Sequence, residues 1–386
     1  MMTLIQANLA ETGYAKPAVL YMALELSQTK WDLWFSEGNR ERRVVIPARD
    51  VSRLTEEISK AKEKFGLPAE TRVKSVYEAG RDGFWIHRLL LSLGVEDQVI
   101  DSASIEVERH ARRVKTDRVD GRQLLRLLIR QEREGERLRV VRIPTVEEED
   151  ARRLHRELER LKQERTQPRN RIRSLLVLQG VEVEWRKEFM AWVATVVLWG
   201  GSHLPPQLQA DIGREYQRLQ GVEQQLRELT GVQREQVQAA RVAQTAAPVA
   251  MQLVVMLSLL KGIGMTSAWI LVRELFGWRR FRNRREVGAA AGLTGTPYDS
   301  GQTHRDQGSS KTGNRRIRSL LVELAWCWLR FQPQSALSQW FRDRFGGGGP
   351  RQRRIGIVAL ARRLLIALWR YVQFGEMPPG AELKAG

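Results

Sequence analysis

Between Ala18 and about Pro144, short apolar runs alternate with longer stretches whose apolar residues recur at helical spacing, the pattern of an α/β layer domain. Leu20 to Leu26, Trp31 to Ser36 and Arg43 to Ile46 predict three early strands joined by tight turns, with Glu37-Gly38-Asn39 as a hairpin signal. Val51 to Phe65 predicts a helix, Arg72 to Tyr77 a buried strand and Trp85 to Leu93 a second helix. Gln98 to Asp101 then predicts a short strand, and Asp117 to Arg130 a third helix.

After Pro144 the texture changes. Thr145 to Val177 is almost entirely charge and leucine, with Leu154, Leu158 and Leu161 at helical spacing and Pro168 expected to kink or break the run. A second stretch carries Ile212, Tyr216, Leu219, Leu226 and Leu229, mostly at steps of three or four. Long amphipathic helices of this kind pack on each other or on another subunit. The remainder reads as mainly helical and rich in Arg and Trp. A flexible break is expected at Gly346 to Pro350, followed by a closing basic amphipathic helix from Ile355 to Tyr371. The expected organisation is an α/β domain over 1–144, a long-helix coiled-coil assembly region over 145–245 and a mainly α domain over 246–386.

Charge narrows the partners. The chain of 386 residues has 64 Lys and Arg against 45 Asp and Glu, a net charge of +19, which favours a polyanion: nucleic acid or an acidic membrane surface. Apolar runs such as Ala191 to Trp199 and Val254 to Leu260 fall short of the ~18–20 residues that span a bilayer, so membrane integration is not expected. Met1 to Lys16 lacks the basic start and apolar stretch of a secretory signal, which predicts a cytoplasmic protein. With one cysteine, Cys327, and five scattered histidines, neither an internal disulfide nor a zinc site is expected.

Two groups of residues carry candidate chemistry. Glu25 ends the first strand on the face shared with Tyr21 and Ala23, and Glu78 directly follows the run Val73 to Tyr77, so both carboxylates can converge at one sheet edge. Asp117 and Asp120 lie three apart at a helix start, on one face, where the helix dipole favours the ionised form. Four hard oxygen ligands of this kind suit two magnesium ions (Mg2+) acting on a phosphodiester. Arg109, Arg112, Arg113 and Lys115 precede the pair and suit phosphate binding. Each acid taken alone is equally an ordinary capping or solvated residue.

The second group begins with the loop-like run Gly292 to Gly301, expected to expose Ser300, followed by His304, Arg305, Lys311, Arg315, Arg316 and Arg318. A serine hydroxyl attacking phosphate needs positive groups around the developing charge, and this segment supplies them. A plain Ser-Gly turn beside backbone-contacting arginines is the alternative. Upstream, Lys261-Gly262-Ile263-Gly264 joins two apolar helical stretches, either as a phosphate-gripping turn or as an ordinary connection. Arg279 and Arg280, beside Trp278 and Phe281, fit a nucleic-acid surface or a solvated helix end.

The order of these motifs resembles that of the DEDD transposases of the insertion-sequence family numbered one hundred and ten, in its eleven-eleven subgroup. The resemblance rests on Ala23-Leu24-Glu25, Tyr77-Glu78-Ala79, Lys115-Thr116-Asp117-Arg118-Val119-Asp120, Gly262-Ile263-Gly264, Gly292-Leu293-Thr294, Ser300-Gly301 and Ser310 to Asn314 with Arg318. It implies a RuvC-like, ribonuclease-H-type first domain and a serine-bearing last domain. It further implies a bacterial, nucleoid-associated recombinase acting on donor and target DNA, with sequence choice delegated to a structured guide RNA. Homo-oligomers, dimers or tetramers, would bring acids and serine of different subunits together. Glu25, Glu78, Asp117 and Asp120 would hold magnesium and Ser300 would become joined to DNA. Where the family usually has aspartate, this chain has Glu25, whose extra methylene adds reach of ~1.5 Å or less. Asp32 on the next strand is a candidate helper. A RuvC-like endonuclease or junction resolvase using water as nucleophile is the alternative activity.

Overall fold

The computed structural model describes residues 18–80, 83–100, 117–136, 138, 140–300, 303–311 and 313–384, with backbone alone for 117–120, 296–300 and 303–307. The chain divides into two compact units, Met1–Ile143 and Pro144–Gly386.

In the first unit the strands are β1 (Val19–Leu26), β2 (Lys30–Ser36), β3 (Glu41–Pro47), β4 (Arg72–Glu78) and β5 (Val95–Ile100), with helices α1 (Val51–Phe65), α2 (Trp85–Ser92) and α3 (Asp117–Glu134). The sheet order is β3-β2-β1-β4-β5. Tight turns make β1–β2 and β2–β3 antiparallel, with Gly38 at φ +115° between β2 and β3, whereas the crossovers through α1 and α2 make β1–β4 and β4–β5 parallel. Both faces of the sheet are covered. Leu20, Met22 and Leu24 join α1 and α2 in one core, and Val19, Tyr21, Ala23 and Trp34 join Leu124, Leu125 and Leu128 of α3 in the other. Strand β5 begins at Val95, three residues before the start expected from the sequence. Its polar Asp97 is buried because Ser75 Oγ donates to it at 2.5 Å and His87 Nδ1 lies 2.7 Å from its other oxygen.

The second unit opens with α4 (Val146–Asp150), started by a capping box between Thr145 and Glu148, and continues with α5 (Arg153–Val177), α6 (Phe189–Thr195) and α7 (Pro206–Ala243). Helices α5 and α7 pack antiparallel on each other. Leu158 and Leu161 meet Leu226 at one end, and Ile172 and Leu176 share a core with Ile212 and Leu219 at the other. Contrary to the expectation from the sequence, Pro168 does not end the run. It is buried inside α5, and apolar packing on both sides of it offsets the one backbone hydrogen bond it removes.

The remaining helices are α8 (Val249–Ser258), α9 (Met265–Leu271), α10 (Arg284–Ala290), α11 (Arg315–Phe331), α12 (Ala336–Phe345) and α13 (Pro350–Phe374), built around one large apolar core. Helix α9 runs into a wide π turn, Val272–Phe276, closed by the Gly277 N–H donating to the Val272 carbonyl at 2.8 Å. The stretch expected to be a loop before Ser300 is instead a strand. Gly295–Ser300 forms β6, paired antiparallel with β7 (Thr303–Ser309), and a register irregularity between Gly295 and Pro297 accommodates the proline, which has no N–H to donate. Among the described residues no single helix is long and apolar enough to cross a membrane.

Candidate functional site

Glu25 and Glu78 come together. Parallel pairing sets β1 and β4 in register from Val19–Arg72 to Leu24–Tyr77, so the residues that follow, Glu25 and Glu78, stand side by side at the same sheet end. Both line a cleft of about 410 Å³ closed by Ser27, Gln28, Gly80 and Gly83. The Tyr77 hydroxyl donates to the Gly83 carbonyl at 3.3 Å and fixes the far wall.

Helix α3 begins toward that end. Near its C-terminus Glu132 accepts from Lys74 of β4 at 2.6 Å, and Arg133 donates to the Gly38 carbonyl in the β2–β3 turn at 3.3 Å. In its first turns Gly121 lies against Trp34, whose register partner on β1 is Ala23. The helix therefore runs antiparallel to β1, and its start, Asp117, is directed to where β1 and β4 finish. The Asp117 and Asp120 side chains, and the whole of Arg109, Arg112, Arg113 and Lys115, lie outside the described residues. Among the described residues no group of three or more acidic, His or Cys side chains is close enough to hold a metal ion. The described pair puts two hard-oxygen donors, of the kind magnesium takes, at one cleft. Asp32, the helper candidate expected from the sequence, is the register partner of Glu25 on β2, and its carboxylate is taken up by Arg43. It is 3 % exposed and bound by Arg43, whose Nε donates to both carboxylate oxygens at 2.9 Å and whose Nη2 donates to one at 2.5 Å.

In the second unit Ser300 is the last residue of β6 and pairs with Thr303 across the hairpin tip. The hairpin base is clamped. Ser310 N–H donates to Thr294 O at 2.8 Å, Lys311 N–H to Gly292 O at 3.2 Å, and Asn314 N–H to Ala290 O at 2.8 Å. The backbones approach so closely that a Cβ on Gly313 would lie 2.2 Å from Gly292 N, which is why both positions are glycine. Arg318 donates to the Lys311 carbonyl at 3.0 Å and the Ala291 carbonyl at 3.4 Å. Asn314 accepts from the Arg316 and Ile317 N–H groups as the N-cap of α11, and its amide donates to Glu274 at 3.1 Å.

Glu274 had gone unnoticed in the sequence, yet it is the hub of this arrangement. It is 1 % exposed, on the π turn, with His155 Nε2 at 2.8 Å and a bidentate Arg156 at 2.7 and 3.0 Å, both from α5. Burial pushes its carboxyl up, but the hydrogen bonds and charges of His155 and Arg156 outweigh burial and hold it well below the usual carboxylate range. The adjacent Arg273 and Glu274, the only charged residues in the apolar run Ala268 to Phe276, are the available signal.

Residues 255–339, which hold the Gly262 turn, Glu274, the hairpin and Asn314, match the model of the transposase IS116/IS110/IS902 family. Over 378 residues the chain is 40% identical to a Sinorhizobium fredii protein named "Putative transposase y4rJ", covering 95% of this chain and 94% of that protein. The chain belongs to the IS116/IS110/IS902 transposase family. The transposase for insertion sequence element IS1328 of Yersinia enterocolitica is 25% identical over 218 residues, 56% of this chain and 60% of that one.

In this transposase the cations singled out from the sequence divide by partner. Lys261 pairs with Glu382 and Arg316 with Glu159, while Arg318 is committed to the hairpin base. Arg279 and Arg152 lie over the buried Trp278 ring at 4.6 and 4.9 Å, so that indole is a packing element and no open stacking platform. Arg280, Lys311 and Arg315 are exposed, and the Arg305 side chain lies outside the described residues. The Gly262 turn connects α8 to α9 at φ +83°, and a Cβ there would lie 3.3 Å from the Cys327 carbonyl.

Proposed function

We propose that this transposase is an RNA-guided DNA recombinase in which the acids at the first sheet end and Ser300 of the hairpin cooperate in strand cleavage and rejoining. The observation that carries the reading is the convergence of Glu25 and Glu78 in one cleft toward which α3 begins. The mixed sheet, with β2 antiparallel and helices on both faces, supports a RuvC-like, ribonuclease-H-type layer, and the clamped hairpin supports Ser300 as a residue held at a defined place. The motif order supports the eleven-eleven subgroup.

Two magnesium ions, held by Glu25, Glu78, Asp117 and Asp120, would supply charge neutralisation at the reacting phosphate. The Ser300 Oγ forms a bond to phosphorus, one P–O ester bond breaks, and the leaving sugar oxygen takes the proton that Ser300 gives up. Religation is the reverse, with a different strand's hydroxyl displacing Ser300. Arg315 and Lys311 beside the hairpin favour the extra negative charge that develops on the phosphate. Assembly as a dimer or tetramer brings acids of one copy to the serine of another.

The test is incubation of the chain with its guide RNA, donor and target DNA and magnesium. A covalent protein–DNA adduct is expected, absent in Ser300→Ala, together with recombination that needs the RNA. Free nicked product with no adduct, unchanged in Ser300→Ala, would assign the reaction to water.

A further inference from the structure

A groove of about 1030 Å³ runs along α13, with Trp340 of α12, the start of α10 and the residues at the base of the serine hairpin, Gly295, Gly308 and Ser309, as its other walls. Arg284, Arg285, Arg351, Arg354, Arg362 and Arg363 all line it, and none of the six forms an ion pair among the described residues. A seventh, Arg370, is bound at 2.6 Å to Glu376, the one acidic residue among the described residues that line the groove. Other exposed arginines are neutralised in place, as Arg160 is by Glu157 and Glu164, and Arg53 by Glu56 and Glu57, and what sets the groove apart is six unpaired ones around one concavity. Six like charges left unpaired around one concavity repel one another, and a polyanion relieves that repulsion. The floor, in contrast, is apolar. Ile355, one turn after Arg351 and next to Arg354, is 57 % exposed, Val358 and Ile366 continue the stripe, and the Arg363 guanidinium stands 4.1 Å from the Trp340 ring centroid.

We infer that this groove seats single-stranded DNA, the flank of the strand cut at the neighbouring hairpin. A duplex keeps its base faces stacked inside and would set polar backbone against Ile355 and Val358. A single strand can place phosphates on the arginines and base faces on the apolar floor, the combination that single-strand grooves use. Among the described lining residues Ser309 is the one side-chain hydroxyl and Glu376 the one carboxylate, the latter already held by Arg370, so few side-chain acceptors are left for the proton of a ribose 2′-hydroxyl. The occupant's identity as the cut strand rests on the proposed function. The groove's chemistry does not.

The test is fluorescence anisotropy on the full chain with a 20-nucleotide dT-rich DNA strand, its duplex and the matching RNA strand. The DNA strand is expected to bind tightest. Arg354→Gln/Arg362→Gln lowers its affinity at least tenfold and flattens the slope of log K against log salt by about 1.4, two contacts at roughly 0.7 each. Arg227→Gln, an exposed change on α7, leaves both unchanged. In the unaltered chain, 5-iodouracil in the strand crosslinks within the peptides spanning 284–309 or 337–379, which hold the groove lining, a readout that no unfolded variant can imitate. Unchanged affinity in the double variant, an equal loss in Arg227→Gln, crosslinks elsewhere, or preference for duplex or RNA would overturn the inference. Because binding is read without chemistry, retained binding with no serine adduct sinks the proposed function alone, and an intact adduct with no groove binding sinks this inference alone.

Discussion

Gly121 and Trp34 are in direct contact: a Cβ added to Gly121 would lie 2.7 Å from both Cδ1 and Nε1 of the indole. The start of α3 rests on the sheet only because that side chain is missing. Gly121→Ala therefore forces the helix or the indole to move, and the expected cost is about 1–3 kcal/mol, the range for overpacking a filled site. Urea unfolding of Gly121→Ala, Trp34→Phe and the double variant checks it. The double variant is expected to recover part of the loss, because the smaller ring makes room, and strict additivity would remove the contact as the cause.

Glu78 is part-buried at the cleft and belongs to no core cluster. Glu78→Gln is expected to hold stability within about 0.5 kcal/mol while strand cleavage falls at least a hundredfold. Thermal unfolding and a nicking assay on one preparation separate the two effects. Glu25→Asp is the companion change: higher activity marks a site that prefers aspartate geometry, and lost activity marks one built for the longer side chain.

Asp32 and Arg43 form an ion pair across β2 and β3, on the strand beside Glu25, that matters to folding. Arg43→Met strands a buried carboxylate, with an expected cost of roughly 3–5 kcal/mol. Adding Asp32→Asn is expected to return most of it, as read by the midpoint of denaturant unfolding.

Glu274 gives stability a pH dependence of known sign. Its folded-state carboxyl is held below the ordinary 4.5, so its contribution is complete above about pH 4.5 and is lost as pH falls from there toward the folded-state value. Glu274→Gln is expected to destabilise by about 3 kcal/mol at pH 7, within the range for breaking a buried pair, and the gap to the unaltered chain narrows between pH 4.5 and 3. A constant gap across that interval, measured by thermal unfolding, would falsify the assignment.

The first sheet was legible because each of its signals is local. β-rich runs, the Gly38 turn and the helical spacing of Val51 to Phe65 act over fewer than twenty residues, and the positions of Glu25 and Glu78 follow from them. What was illegible depends on distant partners. β6 and β7 are both polar, so neither carries an alternation that would reveal the pairing, and Pro168 survives inside α5 because of leucines on another helix. His155 and Glu274 are 119 residues apart. The arginines of α13 look like any solvated helix face until α10, Trp340 and the hairpin base close around them.

The antiparallel pair α5–α7 meets the start of α11 through Glu274 and through the Glu159–Arg316 pair. At 25 residues α5 is about 37 Å long at the usual rise. Near its first turn it grips Glu274, which also holds the cap of α11, and its far half is keyed into α7 by Ile172 and Leu176. Sliding α5 by a turn would take His155 and Arg156 away from Glu274, the carboxylate that also receives the Asn314 amide. A long helical arm and the foot of a short hairpin thus share one buried carboxylate.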